Sequence, residues 1–407
     1  MKKTLAAVAV LGAFAGSALA ADVQIYGVVD TGLRYMHYDA DTSRAGFNYD
    51  AADTFEMKSG MQSGSRFGFK GTEDLGNGLT VGFILENQFN SDDGSLTDDD
   101  HFFRREASLF LQGGFGKVAM GRIGSINGGI SSWAKYGVMS AFGTSWDYSA
   151  QAGSWAIGGG IWDNMIAYET PDFAGFKVFA QYGMGNSVTD YDSVENESSS
   201  DRYYAIGASY ANGPLNLYLA VDSINYASWN NKTGTGKDTD DSLTITFGGN
   251  YDFEVVKLFA GAQYFDEIKL SKMGCGLGMM DVTEYNSYYR TGAGTDADPY
   301  VDHNGFASAF KGWSVGVSAS IPAAGGQVLV GAAYLDAEAA DSVAKSNDSD
   351  ELSRWIVSAG YDYPLSKRTN VYGILTYAQD SVEYTQSGIK DQDPTIFAAM
   401  VGLRHKF

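Results

Sequence analysis

Apolar and polar residues alternate along much of this chain, and that alternation limits the folds open to it. The clearest stretches are 23–34, 215–222 and 243–248, where the apolar residues recur on one phase of a two-residue period. A period of two places successive side chains on opposite faces of a β-strand, so the pattern predicts strands with one apolar face. After the N-terminal region no apolar run reaches the roughly 18 residues of a membrane-spanning helix, which excludes helical spans.

Turn signals divide the chain into about sixteen predicted strands. Short turns rich in Gly, Asn and Pro, such as 73–78 and 210–214, alternate along the chain with long polar connections. The predicted strand spans are 22–38, 55–72, 78–90, 101–113, 116–124, 163–171, 175–186, 201–211, 213–224, 241–252, 254–266, 310–321, 325–337, 351–363, 368–380 and 394–407.

An even number of such strands, with tight turns on one side and long loops on the other, is typical of an outer-membrane β-barrel. A soluble sandwich or propeller is the alternative, but it does not explain why the longer connections share one side. The chain ends with VGLRHKF inside the last predicted strand. Because hydrocarbon leaves no backbone group free, we expect this strand to pair with the first. We expect Phe407, Tyr26 and Tyr35 to contribute to the aromatic girdles at the membrane interfaces.

The N-terminus has the pattern of a secretory signal peptide. Two lysines precede an apolar run, and small residues at Ala18 and Ala20 fit cleavage before Ala21. A membrane anchor is the alternative, but the run is too short to span a bilayer. The sequence therefore predicts a signal peptide at 1–20 and one barrel domain at 21–407.

Several ordered blocks resemble the trimeric general porins of Gram-negative outer membranes, the neisserial and beta-proteobacterial type most of all. The blocks are 21–35, 65–79, 102–123, 166–182 and 402–407. The resemblance implies a 16-stranded antiparallel barrel in the outer membrane, a homotrimer surrounded by lipid and lipopolysaccharide, and a third loop folded into the lumen. It also implies that Phe407 serves as the signal read by the outer-membrane assembly machinery.

The stretch 125–162 is the candidate for this third loop. It follows the fifth predicted strand and combines Gly and Ser with six large aromatic residues, namely Trp133, Tyr136, Phe142, Trp146, Trp155 and Trp162. An ordinary external loop would leave these rings in water, an exposure that a monomer surface rarely shows. The composition therefore favours packing against a wall of the barrel.

Charge is distributed unevenly along the chain. The formal net charge is −21, but the acidic residues lie mainly in predicted loops such as 92–100 and 336–351. Such runs form solvated faces, and they are also able to collect divalent cations beside lipopolysaccharide. On the second predicted strand, alternation with Phe67 and Phe69 turns Arg66 and Lys70 toward the lumen, and the resemblance assigns Arg66 to the pore constriction.

Two neighbouring arginines on the fourth predicted strand are alternatives for the same site. Arg105 matches the pore arginine of the family, whereas Arg104 shares the polar phase of the strand; both are kept, with Arg105 preferred. Arg122 is a third candidate, and Asp147 is an acid of the third loop. Asp30 replaces a family lysine on the lumen phase, which argues against a simple anion pore. The other interpretation of the arginines is a wall salt bridge with Glu86 or Glu106.

The sequence has few of the features expected of an enzyme. The 4 histidines are scattered, the single Cys275 forms no internal disulfide, and neither a phosphate loop nor a Cys/His metal cluster occurs. We therefore predict no cofactor and no enzyme activity, and the acidic surface disfavours nucleic acid. The predicted function is a diffusion channel for small hydrophilic solutes and ions. The alternatives are a sugar-specific channel with Tyr218 and Tyr372 as a track, and a loop-borne binding or adhesion role.

Overall fold

The computed structural model describes twelve stretches of the chain. These are residues 22–39, 52–143, 146, 154–155, 160–185, 194–227, 240–269, 290–291, 301–302, 309–341, 351–383 and 393–407. The predicted signal peptide, Asp147 and Cys275 lie outside the described residues.

The regular secondary structure of the described residues consists almost entirely of strands. Their bounds are β1 Gln24–Asp39, β2 Ala52–Ser59, β3 Arg66–Gly76, β4 Leu79–Gln88, β5 Glu106–Gly113, β6 Gly116–Gly124, β7 Ile161–Glu169, β8 Phe176–Gly183, β9 Arg202–Asn212, β10 Leu215–Asn225, β11 Leu243–Asp252, β12 Lys257–Lys269, β13 Arg290–Thr291, β14 Val301–Asp302, β15 Ala309–Ala323, β16 Gly326–Ala339, β17 Glu351–Pro364, β18 Thr369–Glu383 and β19 Thr395–Lys406. One turn of 3-10 helix covers Tyr136–Met139. Within these stretches, no helix has the length and hydropathy of a membrane span.

The strands form one closed antiparallel barrel, with β13 and β14 as a separate small pair. Strands that follow one another in sequence pair around the barrel, except that β1 pairs with both β2 and β3, and β12 pairs with β15. The barrel closes where β1 pairs with β19, from Val28 opposite Lys406 to Asp39 opposite Thr395. Phe407 completes the closure, because its N–H and C=O both bond the backbone of Gly27 at 3.1 Å. Since β2 and β3 share β1 as a partner, they act as one interrupted strand, and the predicted 16-stranded barrel is confirmed.

The outer face of the barrel is apolar. On β11, Leu243, Ile245 and Phe247 are exposed, whereas Thr244 and Thr246 between them are buried. A water-soluble sheet would show the opposite arrangement, with its apolar face buried. An exposed apolar face around a closed barrel fits a hydrocarbon surrounding, as the alternation in the sequence predicts.

Two predicted strand boundaries were wrong. The predicted second strand, 55–72, is interrupted at residues 60–65, which leave the sheet between β2 and β3. The predicted fourth strand, 101–113, begins only at Glu106. The late start of this fourth strand has a local cause. The Asp98 carboxylate accepts hydrogen bonds from the backbone N–H groups of Asp100 and His101 and holds residues 98–101 in a turn.

One predicted girdle residue was also wrong. Tyr26 lies on the inner face, where its hydroxyl donates to Glu86 Oε2 at 2.9 Å. Its phase on β1 is that of buried Asp30, opposite to the exposed side chains of Ile25 and Val29. Tyr35 is on the outer phase and is exposed, as expected.

Candidate pore constriction

The stretch after β6 is unusually well buried for a loop. Five of the six predicted loop aromatics lie in its described part and the sixth, Trp162, belongs to β7; all six are exposed by 7% or less, including Trp133 at 2%, Trp155 at 1% and Trp146 at 6%. Trp162 stacks on Tyr203 of β9 with ring centroids 5.2 Å apart, and the ring of Tyr136 meets Trp155 edge-on. The rings of the loop are buried in clusters with wall residues such as Phe179 and Tyr372, which excludes an exposed loop for the described part.

Small wall residues make room for this stretch. Gly248 of β11 and Gly261 of β12 are paired across the sheet, and both lie against Met139. A β-carbon at Gly261 would lie 2.9 Å from Trp155 and 3.1 Å from the Met139 sulfur, too close for a normal contact. The absence of a side chain is therefore needed here for close approach.

Polar wall residues fix the first half of the stretch. Gln181 of β8 accepts a hydrogen bond from Ile126 N at 2.8 Å. Asp222 of β10 accepts one from the Asn127 amide at 3.1 Å. Glu106 of β5 accepts two from Ser132, one from its backbone N–H and one from its hydroxyl.

The second half is fixed by strands on other parts of the barrel. Asn250 of β11 donates to the backbone oxygen of Val138 at 2.8 Å. Ser318 of β15 accepts from Ala141 N at 2.9 Å. The backbone N–H of Trp146 then donates to the Gln62 backbone oxygen in the interruption of the second strand, and the Trp146 ring meets Tyr372 of β18. Residues 125–143 together with Trp146, here called the crossing segment, therefore contact walls from β5 to β18.

Arg66 and Arg105 share one carboxylate. Arg105 Nε lies 2.5 Å from Glu86 Oε1, and Arg66 Nε lies 3.5 Å from Glu86 Oε2. Arg105 also donates to Gln88. The predicted wall salt bridge is therefore observed with Glu86, whereas Glu106, the other candidate partner, bonds Ser132 of the crossing segment. Two cations therefore share the single acid Glu86, and Glu106 lies directly opposite Glu86 in the register of β4 and β5.

The conflict between Arg104 and Arg105 has a structural origin. The strand begins one residue after Arg105, so alternation within β5 does not extend to either arginine. Both guanidinium groups reach Gln88 Oε1, at 3.2 Å from Arg104 and 2.7 Å from Arg105. Arg105 has the less exposed side chain, 10% against 30% for Arg104.

Arg122 belongs to a neighbouring cluster. It pairs with Asp163 at the start of β7 and donates to the backbone oxygen of Arg104. His101 lies between Asp163 and Asp98, 3.5 Å from the first carboxylate and 3.1 Å from the second. Burial acts to raise the pKa of Asp98, but hydrogen bonds from the backbone of Asp100 and His101 and from the His101 ring hold the pKa below its ordinary value.

Asp30 faces inward, as predicted, but it is not a free charge. It is fully buried, and its carboxylate accepts hydrogen bonds from Gln62 N, Ser63 N and the Tyr372 hydroxyl. Lys70 remains exposed on the inner phase, with its ammonium 5.1 Å from the centre of the Tyr26 ring. In the described stretches, no group of three or more His, Cys, Asp or Glu side chains is arranged to hold a metal.

Two cations near Arg66 were missed in the sequence. Arg404 donates to Asn370 at 3.0 Å, and Arg404 and Lys406 lie on the inner phase of β19. Alternation with Leu403 in the terminal GLRHKF was the available signal. The candidate sugar track is disfavoured, because Tyr218 and Tyr372 are both buried, with hydroxyls bonded to Asn127 and Asp30.

Comparisons of sequence and of structure with known proteins both find porins. Residues 6–382 match the family model for Gram-negative porins. An outer membrane porin protein of Bordetella pertussis is 35% identical over 441 residues, and outer membrane porin protein 32 of Delftia acidovorans is 29% identical over 423 residues, each alignment covering 100% of both chains. Among solved structures, an anion-selective porin from Comamonas acidovorans superposes with a TM-score of 0.63 at 25% identity, covering 95% of this chain and 100% of that one.

Proposed function

This chain belongs to the Gram-negative porin family and forms an outer-membrane channel, and on that basis we propose that the crossing segment narrows its lumen at a positively charged constriction. Family and fold point to a channel and not to an enzyme. The channel passes small hydrophilic solutes and ions by passive diffusion, with selectivity set by pore size and fixed charge.

The contacts of the crossing segment carry this proposal. Its partners lie on β5, β8, β10, β11, β15 and β18 and in residues 60–65, which are spread around a closed barrel. The partners on β5, β10 and β18 are buried side chains of the inner phase. A single short segment is able to reach such positions on opposite walls only by crossing the interior, which supports its insertion into the lumen.

The charges favour anions at the constriction. Arg66 and Arg105 share the single carboxylate of Glu86, and Arg404, Lys406 and Lys70 add cations on neighbouring inner positions. Asp30, whose acidic side chain argued against an anion pore, is buried under hydrogen bonds. The Comamonas relative is an anion-selective porin. We therefore assign Arg66, Arg105, Arg104, Lys70 and Arg122 to the constriction region, and we extend that role to Asp147 of the third loop from the sequence alone.

The test is transport by the purified protein in lipid. Swelling of proteoliposomes should fall steadily with increasing size of neutral sugars, and its rate should rise in proportion to concentration. In a planar bilayer with unequal KCl, the zero-current potential should have the sign of anion preference. Saturation with one sugar would instead support the solute-specific alternative, and cation preference would contradict the proposed constriction.

A proposal about assembly rests on the same family membership. We propose a homotrimer in contact with lipid and lipopolysaccharide, whose insertion by the outer-membrane assembly machinery depends on Phe407, after removal of the signal peptide at 1–20. The support is the resemblance of the terminal block and the position of Phe407, which is exposed beside the closing hydrogen bonds.

A further inference from the structure

The interruption of the second strand is organised around one residue. Between its pairing with β3, which ends at Val28, and with β2, which begins at Thr31, β1 has no partner strand on this side. Residues 60–65, here called the inward turn, fill this gap. Asp30 lies at its centre and is 0% exposed.

The backbone of Asp30 holds both ends of the inward turn. Its carbonyl oxygen accepts a hydrogen bond from Gly60 N at 2.8 Å, and its N–H donates to the Ser65 hydroxyl at 3.1 Å. The carboxylate holds the middle, because Oδ2 accepts from Gln62 N at 2.9 Å and from Ser63 N at 2.7 Å. One residue therefore bonds the turn at its start, its middle and its end.

A second wall fixes the carboxylate itself. Tyr372 of β18 donates its hydroxyl to Asp30 Oδ1 at 2.5 Å. The turn is tied to the same wall through Gln62, which donates to Asp362 and accepts from Asn370. Charge-assisted hydrogen bonds of this kind are short and directional, so they favour one arrangement.

The inward turn also positions the constriction. Arg66 is the first residue after it, and Arg66 Nη1 donates to the Ser63 hydroxyl and to the Gly64 backbone oxygen, both at 3.0 Å. The Gln62 backbone oxygen accepts the backbone N–H of Trp146, at the far end of the crossing segment. Both partners of the proposed constriction thus contact a turn that Asp30 shapes.

We propose that Asp30 is a positioning residue for ion selectivity, acting through the inward turn on Arg66, and not a fixed charge of the pore. The inference rests on the proposed function, because it requires Arg66 to act at the constriction. It assigns to a buried carboxylate the opposite effect from the one its charge alone predicts. A carboxylate acting through its field would weaken anion preference, whereas a carboxylate that holds Arg66 in place strengthens it.

The test compares zero-current potentials in unequal KCl for wild type, Asp30→Asn, Asp30→Glu and Arg66→Ala. Asp30→Asn should move the potential toward cations, in the direction of Arg66→Ala, since the amide offers one acceptor oxygen in place of two. Asp30→Glu keeps the charge but places the carboxylate one methylene group further from the backbone, and it should move the potential in the same direction. In an Arg66→Ala background, Asp30→Asn should have no further effect.

Tyr372→Phe keeps the inference testable if the Asp30 variants do not fold. It removes one hydrogen bond to Asp30 without a change of charge, and it should give a smaller shift toward cations. Tyr377→Phe, on the same strand but with an exposed outer side chain, is the matched control and should leave the potential unchanged.

Two failures can be told apart. If Arg66→Ala leaves the potential at the wild-type value, the proposed constriction is wrong, and the inference falls with it. If Arg66→Ala shifts the potential but Asp30→Asn does not, or makes the channel more anion-selective, the positioning role alone is wrong. The positioning role is also wrong if Arg66→Ala shifts the potential and Tyr372→Phe matches wild type.

Discussion

At the scale of single residues, packing inside this barrel depends on how closely side chains approach the wall as much as on charge. Gly261 illustrates this, because its missing side chain lets Met139 and Trp155 lie directly on the wall. The atoms that a β-carbon would meet belong to side chains outside the strands and not to the backbone of neighbouring strands. A larger residue there should therefore displace the crossing segment and leave the barrel wall in place.

Gly261→Ala should change the single-channel conductance and destabilise the crossing segment. Overpacking of a buried site typically costs about 1–3 kcal/mol, which the loss of stability in urea would report. Gly373→Ala is the control, because a β-carbon at Gly373 meets its nearest atom at 3.5 Å, an ordinary contact. Conductance of Gly261→Ala equal to wild type, with the Gly373→Ala channel equally unchanged, would contradict this placement of Met139 and Trp155.

At the scale of elements, the closing strand shows how the barrel avoids a free edge. β19 pairs with β18 on one side and β1 on the other, so that it is flanked along most of its length. The final residue adds two backbone hydrogen bonds to Gly27. In a membrane an unpaired backbone group is costly, so the last residue of this strand contributes to closure in addition to its proposed signalling role.

Deletion of Phe407 should reduce the amount of heat-resistant protein in outer membranes. The deletion removes both closing hydrogen bonds and the aromatic ring, whereas Phe407→Tyr keeps the bonds and a ring suited to the interface. Gel mobility of unheated and heated membrane fractions measures the effect. Normal levels of heat-resistant protein from the deletion variant would refute the role of Phe407. An equal loss in Phe407→Tyr would show that backbone closure and a terminal ring are not sufficient.

At the scale of the whole molecule, the sequence predicted the architecture far better than the site. Alternation such as that of β11 reports directly which face meets lipid, so the barrel and its closure were predictable. The site depends on long-range contacts without a local pattern. Asp30 looked like a pore charge because no sequence rule reveals that Tyr372 and residues 60–65 would cover it. Arg104 and Arg105 could not be separated because β5, and with it the alternation, begins only at Glu106, after both of them.

The placement of Arg66 at a charged constriction is tested by reversing its charge. At 4 Å a pair of charges is worth about 4 kcal/mol at an effective dielectric near 20, but about 1 kcal/mol in bulk water. Exposed Asp99 lies in a loop, where salt screens charges over roughly 8–10 Å. Asp99→Lys is therefore the control, and Arg66→Glu should have the larger effect.

The measurement is the zero-current potential across a planar bilayer with unequal KCl, for wild type, Arg66→Glu and Asp99→Lys. We expect a strong shift toward cations for Arg66→Glu and a small change for Asp99→Lys. An Arg66→Glu potential equal to wild type, or a larger change from Asp99→Lys, would contradict the placement of Arg66 at the constriction.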